Sequence, residues 1–416
     1  MSLALAATCL LPLPLAVVVW RLGAGSRLWL ALVMAGTTAL VASVAVAAAA
    51  TPQVPRPLAD LEIGSLLLTR LAAGAVVAAL SAQVLEVAIG EGTSPGLAAT
   101  SVLLAVPALV VVSATGVVPL ALGAGAALGV VWVRWTRTGG PQLPVRSLGR
   151  QAALAMGALF AAAAVTPSVE QGAAPGIMVA ILLAGAVASL LGVIPFSIFP
   201  GAARRVGATE ASLWRVWLLP LGALLGLRLV AASPHSIQVP LQELLIGLGV
   251  ASAVFWSLHG LVADPQSRYW SVAAADAGLV AVGVGLGSMT ALAAVLLLLV
   301  AHWLGGAVLS EDAGRRSQLV AWVGISGTPP FGGFSGRFLL VLAAAPVSPT
   351  VSAWLLAVMG LQLASSALGM RAATRASRRS SGPWAKELVA LVVATATLVV
   401  GVVPQQALAA VFGVHL

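Results

Sequence analysis

Apolar segments long enough to cross a bilayer recur along the whole chain, and this recurrence limits what the sequence can fold into more than any other feature. About 20 consecutive apolar residues span the hydrocarbon core of a membrane. The chain is 60% hydrophobic and 8% charged, with a mean hydropathy of +1.06, which is too much apolar surface for a water-soluble core. The sequence therefore predicts an all-α polytopic membrane protein and excludes a large soluble domain for a nucleotide.

Runs of spanning length, bounded by charges, Gly/Pro clusters or polar turns, predict fourteen transmembrane helices. Their approximate limits are 3–20, 28–50, 63–86, 96–113, 115–135, 150–166, 174–199, 209–232, 240–262, 269–285, 287–310, 318–344, 350–371 and 385–412. Within 96–135 only a short turn, Ala114 to Gly116, separates two of these helices.

The loop charges support an even number of helices. The basic residues cluster in connections that follow odd-numbered spans: Arg21, Arg27, Arg134, Arg137, Arg146, Arg150, Arg204, Arg205, Arg268, Arg315, Arg316, Arg371, Arg375, Arg378, Arg379 and Lys386. Connections after even-numbered spans hold little beyond Arg56. Because cytoplasmic loops are enriched in Arg and Lys, both termini are predicted on the non-cytoplasmic side, and the net charge of +9 indicates topology rather than nucleic-acid binding.

Two predicted spans are interrupted by the same pattern, G-x-x-P-F. It occurs at 192–196 in the seventh span and at 327–331 in the twelfth, five spans later. Proline removes a helical hydrogen bond, and the freed carbonyls need protein, water or an ion as partners in a membrane. Transmembrane helices also tolerate stray Gly and Pro, but a matching pair at an odd offset favours inverted repeats with a functional site at their interface. The predicted broken-helix residues are Gly192, Pro195, Gly327, Pro329 and Pro330.

Three stretches resemble the antiporter-like subunits of respiratory complex I and of multisubunit cation:proton antiporters. GISGTPPFGGFSGRF, from Gly324, resembles the family's broken twelfth helix, roughly GIPP-x-x-GF-x-GKF, and is most similar to the N-type subunit of NADH:quinone oxidoreductase. LLGVIPFSIFPGAARRVGATEASLW, from Leu190, is similar to the family's seventh helix and following loop, and DPQSRYWSVAAADAG, from Asp264, to its tenth. The resemblance implies fourteen core helices with two inverted five-helix repeats.

On this resemblance the chain divides into four parts. Residues 1–95 hold helices one to three, 96–232 the first repeat with helices four to eight, 240–371 the second repeat with helices nine to thirteen, and 385–416 helix fourteen. The resemblance also implies a prokaryotic plasma-membrane location, other membrane subunits and lipid as partners, and protons or sodium ions as cargo. Any redox chemistry, whether of the NADH:quinone oxidoreductase or the membrane-bound hydrogenase kind, would belong to other subunits.

The family's titratable positions are mostly lost in this chain. The glutamate of helix five would fall near Gly125, and the basic residues of helices seven and eight near Leu190 and Leu221. In helix twelve the lysine position holds Arg337, whose guanidinium stays charged at any relevant pH. The resemblance thus implies the fold without most of its acid–base groups.

Some ionisable residues remain at bilayer depth. Asp276 and His302 lie inside the tenth and eleventh spans, where an unpaired carboxylate costs about 2.5 to 3.5 kcal/mol. We expect Asp276 to pair with Arg337, either as a static salt bridge or as the remnant of a half-channel in which His302 titrates. Glu210 and Arg215, about one and a half turns apart, are predicted to pair at a helix boundary.

Three functional hypotheses follow. The first is a non-catalytic membrane subunit of a complex-I-like, ion-translocating redox complex with a degenerate proton path and a structural role. The second is an active proton or sodium/proton translocating subunit that uses a path through Asp276, His302 and Arg337. The third, an unrelated transporter with inverted repeats, would need a polar substrate cavity. The chain has a single cysteine, Cys9, and no His or Cys residues with zinc-site spacing. The sequence therefore predicts that it holds no metal and no cofactor.

Overall fold

The fold is helical wherever the chain is described. The computed structural model describes residues 12–22, 30, 33–36, 79, 81, 94–113, 117–137, 142–170, 172, 174–197, 208–310, 315–375 and 384–404. Within these ranges there are helices and turns and no β-strand. This agrees with the apolar runs of the sequence, because a chain in lipid must satisfy its own backbone hydrogen bonds and a helix does so within one segment.

The helices follow the predicted spans closely. Their bounds are α1 Pro12–Leu22, α2 Pro95–Ser113, α3 Val117–Arg137, α4 Gln142–Glu170, α5 Gly176–Leu191, α6 Ala208–Leu213, α7 Leu219–Ala232, α8 His235–Val262, α9 Pro265–Leu286, α10 Met289–Ser310, α11 Arg315–Ser326, α12 Gly332–Ala344, α13 Pro349–Arg375 and α14 Trp384–Val402. A π-helical segment, Trp214–Leu218, joins α6 to α7. Every predicted span from 96–113 onward overlaps one of these helices, whereas spans 28–50 and 63–86 lie almost wholly outside the described residues.

Six described helical segments are long and apolar enough to cross a membrane. They are Arg146–Val169, Glu210–Ala232, His235–Val262, Ser267–Leu286, Met289–Leu309 and Pro349–Arg375. Shorter apolar helices include Gly176–Leu191 and Gly332–Ala344, which adjoin the two breaks. The predicted class, an all-α polytopic membrane protein, is confirmed. The limits of the four parts remain predictions.

Both G-x-x-P-F patterns break a helix, as predicted. The helix α5 ends at Leu191, and Gly192 follows with φ +71°. In the second pattern α11 ends at Ser326, Gly327 has φ +78°, and the chain re-enters a helix, α12, at Gly332. Glycine suits both positions because a side chain disfavours positive φ. The peptide bonds Ile194–Pro195 and Pro329–Pro330 are both cis.

The helix α9 lies at the centre of the second half. Nearly all of its side chains are buried, while α8 and α13, which pack against it, each keep an exposed apolar face. The backbones of α8 and α9 are in close contact, since a β-carbon on Gly249 would lie 2.6 Å from the carbonyl oxygen of Gly278. Small residues thus allow tight helix packing in the membrane, and any polar group on α9 is held away from lipid.

Candidate functional site

A buried carboxylate, Asp276 of α9, lies at the centre of the candidate site and receives four hydrogen bonds. Its Oδ1 accepts from Arg337 Nε at 3.1 Å and from Gln362 Nε2 at 2.8 Å. Its Oδ2 lies 2.6 Å from Arg337 Nη2 and 2.5 Å from His302 Nε2. An ionised carboxylate has about four acceptor positions. All four are filled by groups from α10, α12 and α13, none more than 2% exposed.

The guanidinium of Arg337 joins this carboxylate to the second helix break. Its Nη1 donates to the carbonyl oxygens of Ile325, at 2.7 Å, and Gly333, at 3.3 Å. The approach depends on Gly327, because a β-carbon there would lie 2.6 Å from Nη1. A proline break leaves carbonyls without helical partners, and here an arginine satisfies one of them.

The amide of Gln362 was missed by the sequence analysis. This residue lies in α13 and is fully buried, with its amide nitrogen on Asp276. The sequence did contain a signal, because an amide inside the apolar run WLLAVMGLQLA needs a partner within the membrane. Without a carboxylate at the same depth in the same helix, the sequence did not indicate which partner it would find.

The imidazole of His302 has one nitrogen engaged and one open. Because the carboxylate of Asp276 only accepts when ionised, Nε2 donates to it. Nδ1 is buried and has no hydrogen-bond partner in the described part of the chain. On the backbone side, Arg215 Nη1 donates to the carbonyl oxygen of His302 at 2.8 Å. The structure therefore brings Asp276, His302 and Arg337 together. The contact between Asp276 and Arg337 is the one that the sequence analysis expected.

The expected pair between Glu210 and Arg215 is wrong. Glu210 instead accepts a forked hydrogen bond from Arg134 of α3, with Nη2 at 2.6 Å and Nε at 3.1 Å. Arg215 is fully buried in the π-helical segment, with its Cζ 6.0 Å from the ring of Tyr269. The spacing of Glu210 and Arg215 along the chain indicates that they lie at a similar depth. It does not indicate which neighbouring helix each side chain faces.

Two of the three positions at which the resemblance implies a lost acid–base group, Leu190 and Leu221, lie in an apolar contact between α5 and α7. Leu190 and Leu221 are both buried. A β-carbon on Gly222 would lie 3.0 Å from that of Leu190, so the two helices touch at this level. Gly125 in α3 faces Met156 of α4. Between residues 94 and 232 the sequence has no Asp, His or Lys and only two glutamates, Glu170 and Glu210.

Neutral groups support the first break. The indole Nε1 of Trp214 donates to the carbonyl oxygen of Leu191 at 3.2 Å. Beyond Pro195, the amide of Gln151 donates to the carbonyl oxygen of Phe196 at 2.6 Å. Two carbonyl oxygens at the first break, those of Leu191 and Phe196, thus accept hydrogen bonds from neutral side chains.

The Asp276 cluster holds few groups of the kind that ligate metals. Over the described ranges, no three side chains of His, Cys, Asp or Glu come together. The cluster around Asp276 contains one carboxylate and one imidazole, and Arg337 already occupies both carboxylate oxygens. A cation would have to displace a guanidinium to bind there.

The fold and the site define a class of protein: a many-helix membrane protein with paired broken helices and a buried ionic cluster. Solved structures of several membrane complexes contain chains of the same fold. A chain of respiratory complex I from Thermus thermophilus has a TM-score of 0.76 at 18% identity, covering 95% of this chain and 97% of that one. A chain of the membrane-bound sulfane sulfur reductase, an archaeal respiratory complex, has a TM-score of 0.74 at 17% identity, covering 99% and 96%.

A chain of the Mrp complex from Dietzia completes this set, with a TM-score of 0.72 at 16% identity and coverage of 99% and 97%. No protein-family model matches the sequence, and the comparison with curated proteins gives no match. At these identities the likeness concerns the fold. The chain shares this fold with chains of these membrane complexes over nearly its whole length.

Proposed function

We propose that this protein is a membrane-arm subunit of a complex-I-like, ion-translocating redox complex, with an antiporter-like fold and a degenerate proton path. Its role is structural: it seals the membrane arm and contacts neighbouring subunits. The fold shared with chains of two respiratory complexes and an Mrp complex supports this assignment. Redox centres belong to other subunits, and the distribution of arginines supports a plasma-membrane orientation with both termini outside the cytoplasm.

The observation that carries the proposal is the saturated environment of Asp276. A proton carrier must gain and lose a proton, so it needs a free acceptor position in one state and an acceptor for its own proton in the other. Asp276 meets four donors instead, and one of its partners, Arg337, cannot release a proton in a cycle. This arrangement favours a fixed ionic contact between α9 and the α11–α12 break.

The first half of the chain supports the same conclusion. Proton transfer through a membrane interior needs titratable groups that are linked by hydrogen bonds or single waters. Between 94 and 232 the sequence offers Glu170 at the end of α4 and Glu210, which pairs with Arg134. Leucines fill the contact between α5 and α7 where the family has basic residues.

A second candidate function is active translocation of protons, or of sodium in exchange for protons, through Asp276, His302 and Arg337. One observation favours it: His302 contacts the carboxylate through Nε2 and keeps Nδ1 open. An imidazole with one free nitrogen can pass a proton between its two sides. The path would need further groups from partner subunits or from water.

A flux measurement separates the two functions. The full-length chain is reconstituted in sealed vesicles that contain a pH-sensitive dye, and a pH gradient is imposed with and without sodium. We expect the rate of pH decay to equal that of protein-free vesicles. Folding of the reconstituted chain is checked first, by circular dichroism and by a single peak in size-exclusion chromatography.

The variant H302Q, with Leu221→Met as a matched control, identifies the source of any flux. A gradient-driven flux that His302→Gln abolishes and Leu221→Met leaves intact would contradict the structural role and support translocation through the Asp276 cluster. The same flux in both variants would contradict a degenerate path and point to a different route.

A further inference from the structure

A row of buried polar side chains runs from the Asp276 cluster toward the turn between α8 and α9. The polar seam consists of Ser257 on α8, Ser271 on α9, and Gln362, Ser365 and Ser366 on α13. All five residues are essentially inaccessible to solvent. Serine and glutamine in the interior of apolar helices need hydrogen-bond partners, because lipid and hydrocarbon side chains supply none.

The three helices meet at Gly260 of α8. A β-carbon on Gly260 would lie 2.6 Å from Ser365 Oγ and 3.6 Å from Ser271 Cβ. Ser257 precedes Gly260 by three residues and therefore lies on the same face of α8, one turn away. Gln362 precedes Ser365 by three residues on α13, about 4.5 Å along the helix axis. The seam is thus continuous from the Gly260 level to the amide that binds Asp276.

Several oxygens of the seam lack a hydrogen-bond partner within the described ranges. Ser257 Oγ, Ser365 Oγ, Ser366 Oγ and Gln362 Oε1 are all buried and without a hydrogen bond to any group among the described residues. Serine in a membrane helix commonly donates to the carbonyl four residues earlier, as Ser271 does to Ser267 at 3.0 Å. The three open hydroxyls make no such bond.

The outer end of the seam is His259, in the last turn of α8. Its Nδ1 lies 2.9 Å from Ser271 Oγ. Because that hydroxyl donates to Ser267, Nδ1 is the donor to Ser271. His259 is half-buried, so it connects the fully buried seam with the end of the bundle at the α8–α9 turn.

We propose that the polar seam holds a file of ordered waters that connects the Asp276 cluster with His259 and the α8–α9 end of the bundle. Buried polar groups are almost always satisfied, and an internal water typically makes about three hydrogen bonds to groups that would otherwise be unpaired. Ser271 and Asp276 are about 7.5 Å apart along the axis of α9. The cluster is thereby hydrated from one end of the bundle, while the contact between α5 and α7 is apolar.

Silver-ion accessibility of single cysteines tests the seam. Ag⁺ is close to water in size and reacts with thiols. In a Cys9→Ser background of the full chain in lipid nanodiscs, Ser366→Cys and Ser257→Cys place a thiol in the seam. Ser189→Cys is the matched control, because Ser189 is equally buried in α5 but donates to the carbonyl oxygen of Gly185 at 2.8 Å. Thiols left unreacted are counted by maleimide labelling after denaturation, using mass spectrometry.

We expect both seam cysteines to react with Ag⁺ more than about tenfold faster than Ser189→Cys, because an ion enters a dry interior only at a large desolvation cost. Equal rates at all three positions would overturn the proposal. If a variant does not fold, electron cryo-microscopy of the unaltered chain carries the test. Water density within hydrogen-bond distance of Gln362 Oε1 is expected, and direct protein contacts that close the seam oxygens would overturn it.

The result is independent of the proposed function. Reactive seam cysteines without vesicle flux would support both, as expected for a water file that ends at the Asp276 cluster. Reactive cysteines with flux that depends on His302 would leave the seam standing and overturn the structural role. Unreactive cysteines without flux would overturn the seam and leave the structural role standing.

Discussion

The two broken helices share their sequence pattern and backbone geometry but differ in the groups that stabilise them. Each has a glycine with positive φ followed by a cis proline. At the first break the donors are the neutral side chains of Trp214 and Gln151. At the second, the guanidinium of Arg337 donates to the carbonyl oxygen of Ile325 and also binds Asp276. Neutral groups contribute there as well, since the hydroxyls of Ser326 and Thr328 donate to the carbonyl oxygen of Val323. A broken membrane helix therefore needs donors for its freed carbonyls, and charge is only one way to supply them.

This difference indicates that the broken-helix fold does not depend on acid–base groups. In the described part of the first half, the side chains that donate to the break carbonyls are neutral. The second half keeps an ionic cluster, but the cluster supports the break through Ile325 and Gly333 as well as binding Asp276. In both halves, the described contacts of the break residues are explained by hydrogen-bond satisfaction.

Removal of the carboxylate at Asp276 should give the largest difference between the halves. Asp276→Ala leaves the Arg337 guanidinium buried without a counter-charge, which costs about 3 to 5 kcal/mol. We expect a strong loss of folded protein in the membrane, measured by immunoblot of the membrane fraction and by thermal unfolding in detergent. Transport per assembled complex should change much less.

Two controls accompany this variant. Ser189→Ala removes a buried hydroxyl of the first half that bonds only to its own helix, so its effect should stay below about 1 kcal/mol. Adding Arg337→Met to Asp276→Ala removes the stranded charge and should restore part of the lost stability. Normal abundance of Asp276→Ala together with lost translocation would contradict the static ion pair.

Alanine substitution at the two break glycines should lower the stability by less than Asp276→Ala does, and it compares the two breaks directly. Gly192→Ala places a side chain at φ +71°, which costs about 1 to 2 kcal/mol. Gly327→Ala adds a second cost, because the new β-carbon would collide with Arg337 Nη1 and push the guanidinium away from Ile325 or Asp276. We expect about 3 kcal/mol for Gly327→Ala.

The measurement is the free energy of unfolding of both variants, from denaturant titration in the same detergent. The expected losses of stability differ between Gly192→Ala and Gly327→Ala because a charged side chain, Arg337, contacts the second break. Equal losses would mean that the Arg337 side chain can move aside without losing its bonds, and that its contact with the break contributes little.

Sequence reasoning located the helices and both breaks, because apolar length and the G-x-x-P-F pattern are local signals. It also selected Asp276 and Arg337 as partners, since both are ionisable at bilayer depth in the same half. It missed Gln362, which is 86 residues from Asp276 along the chain. It misassigned Glu210 and Arg215, because their spacing says nothing about α3 or the π-helical segment. Neighbours across helices depend on packing, which a single sequence does not encode locally.

The smallest expected effect tests the neutral support of the first break. Trp214→Phe keeps the bulk of the ring and removes the indole N–H that donates to Leu191, so we expect a loss of about 0.5 to 1 kcal/mol. Trp217→Phe in the same π-helical segment is the matched control. Trp217 is buried, but its Nε1 has no hydrogen-bond partner among the described residues. Unfolding titrations should therefore show a greater loss for Trp214→Phe, because both variants change the same ring and only one removes a bond. If Trp217→Phe were the more damaging, the hydrogen bond from Trp214 would contribute little to the first break, and the neutral support that we assign to it would not stand.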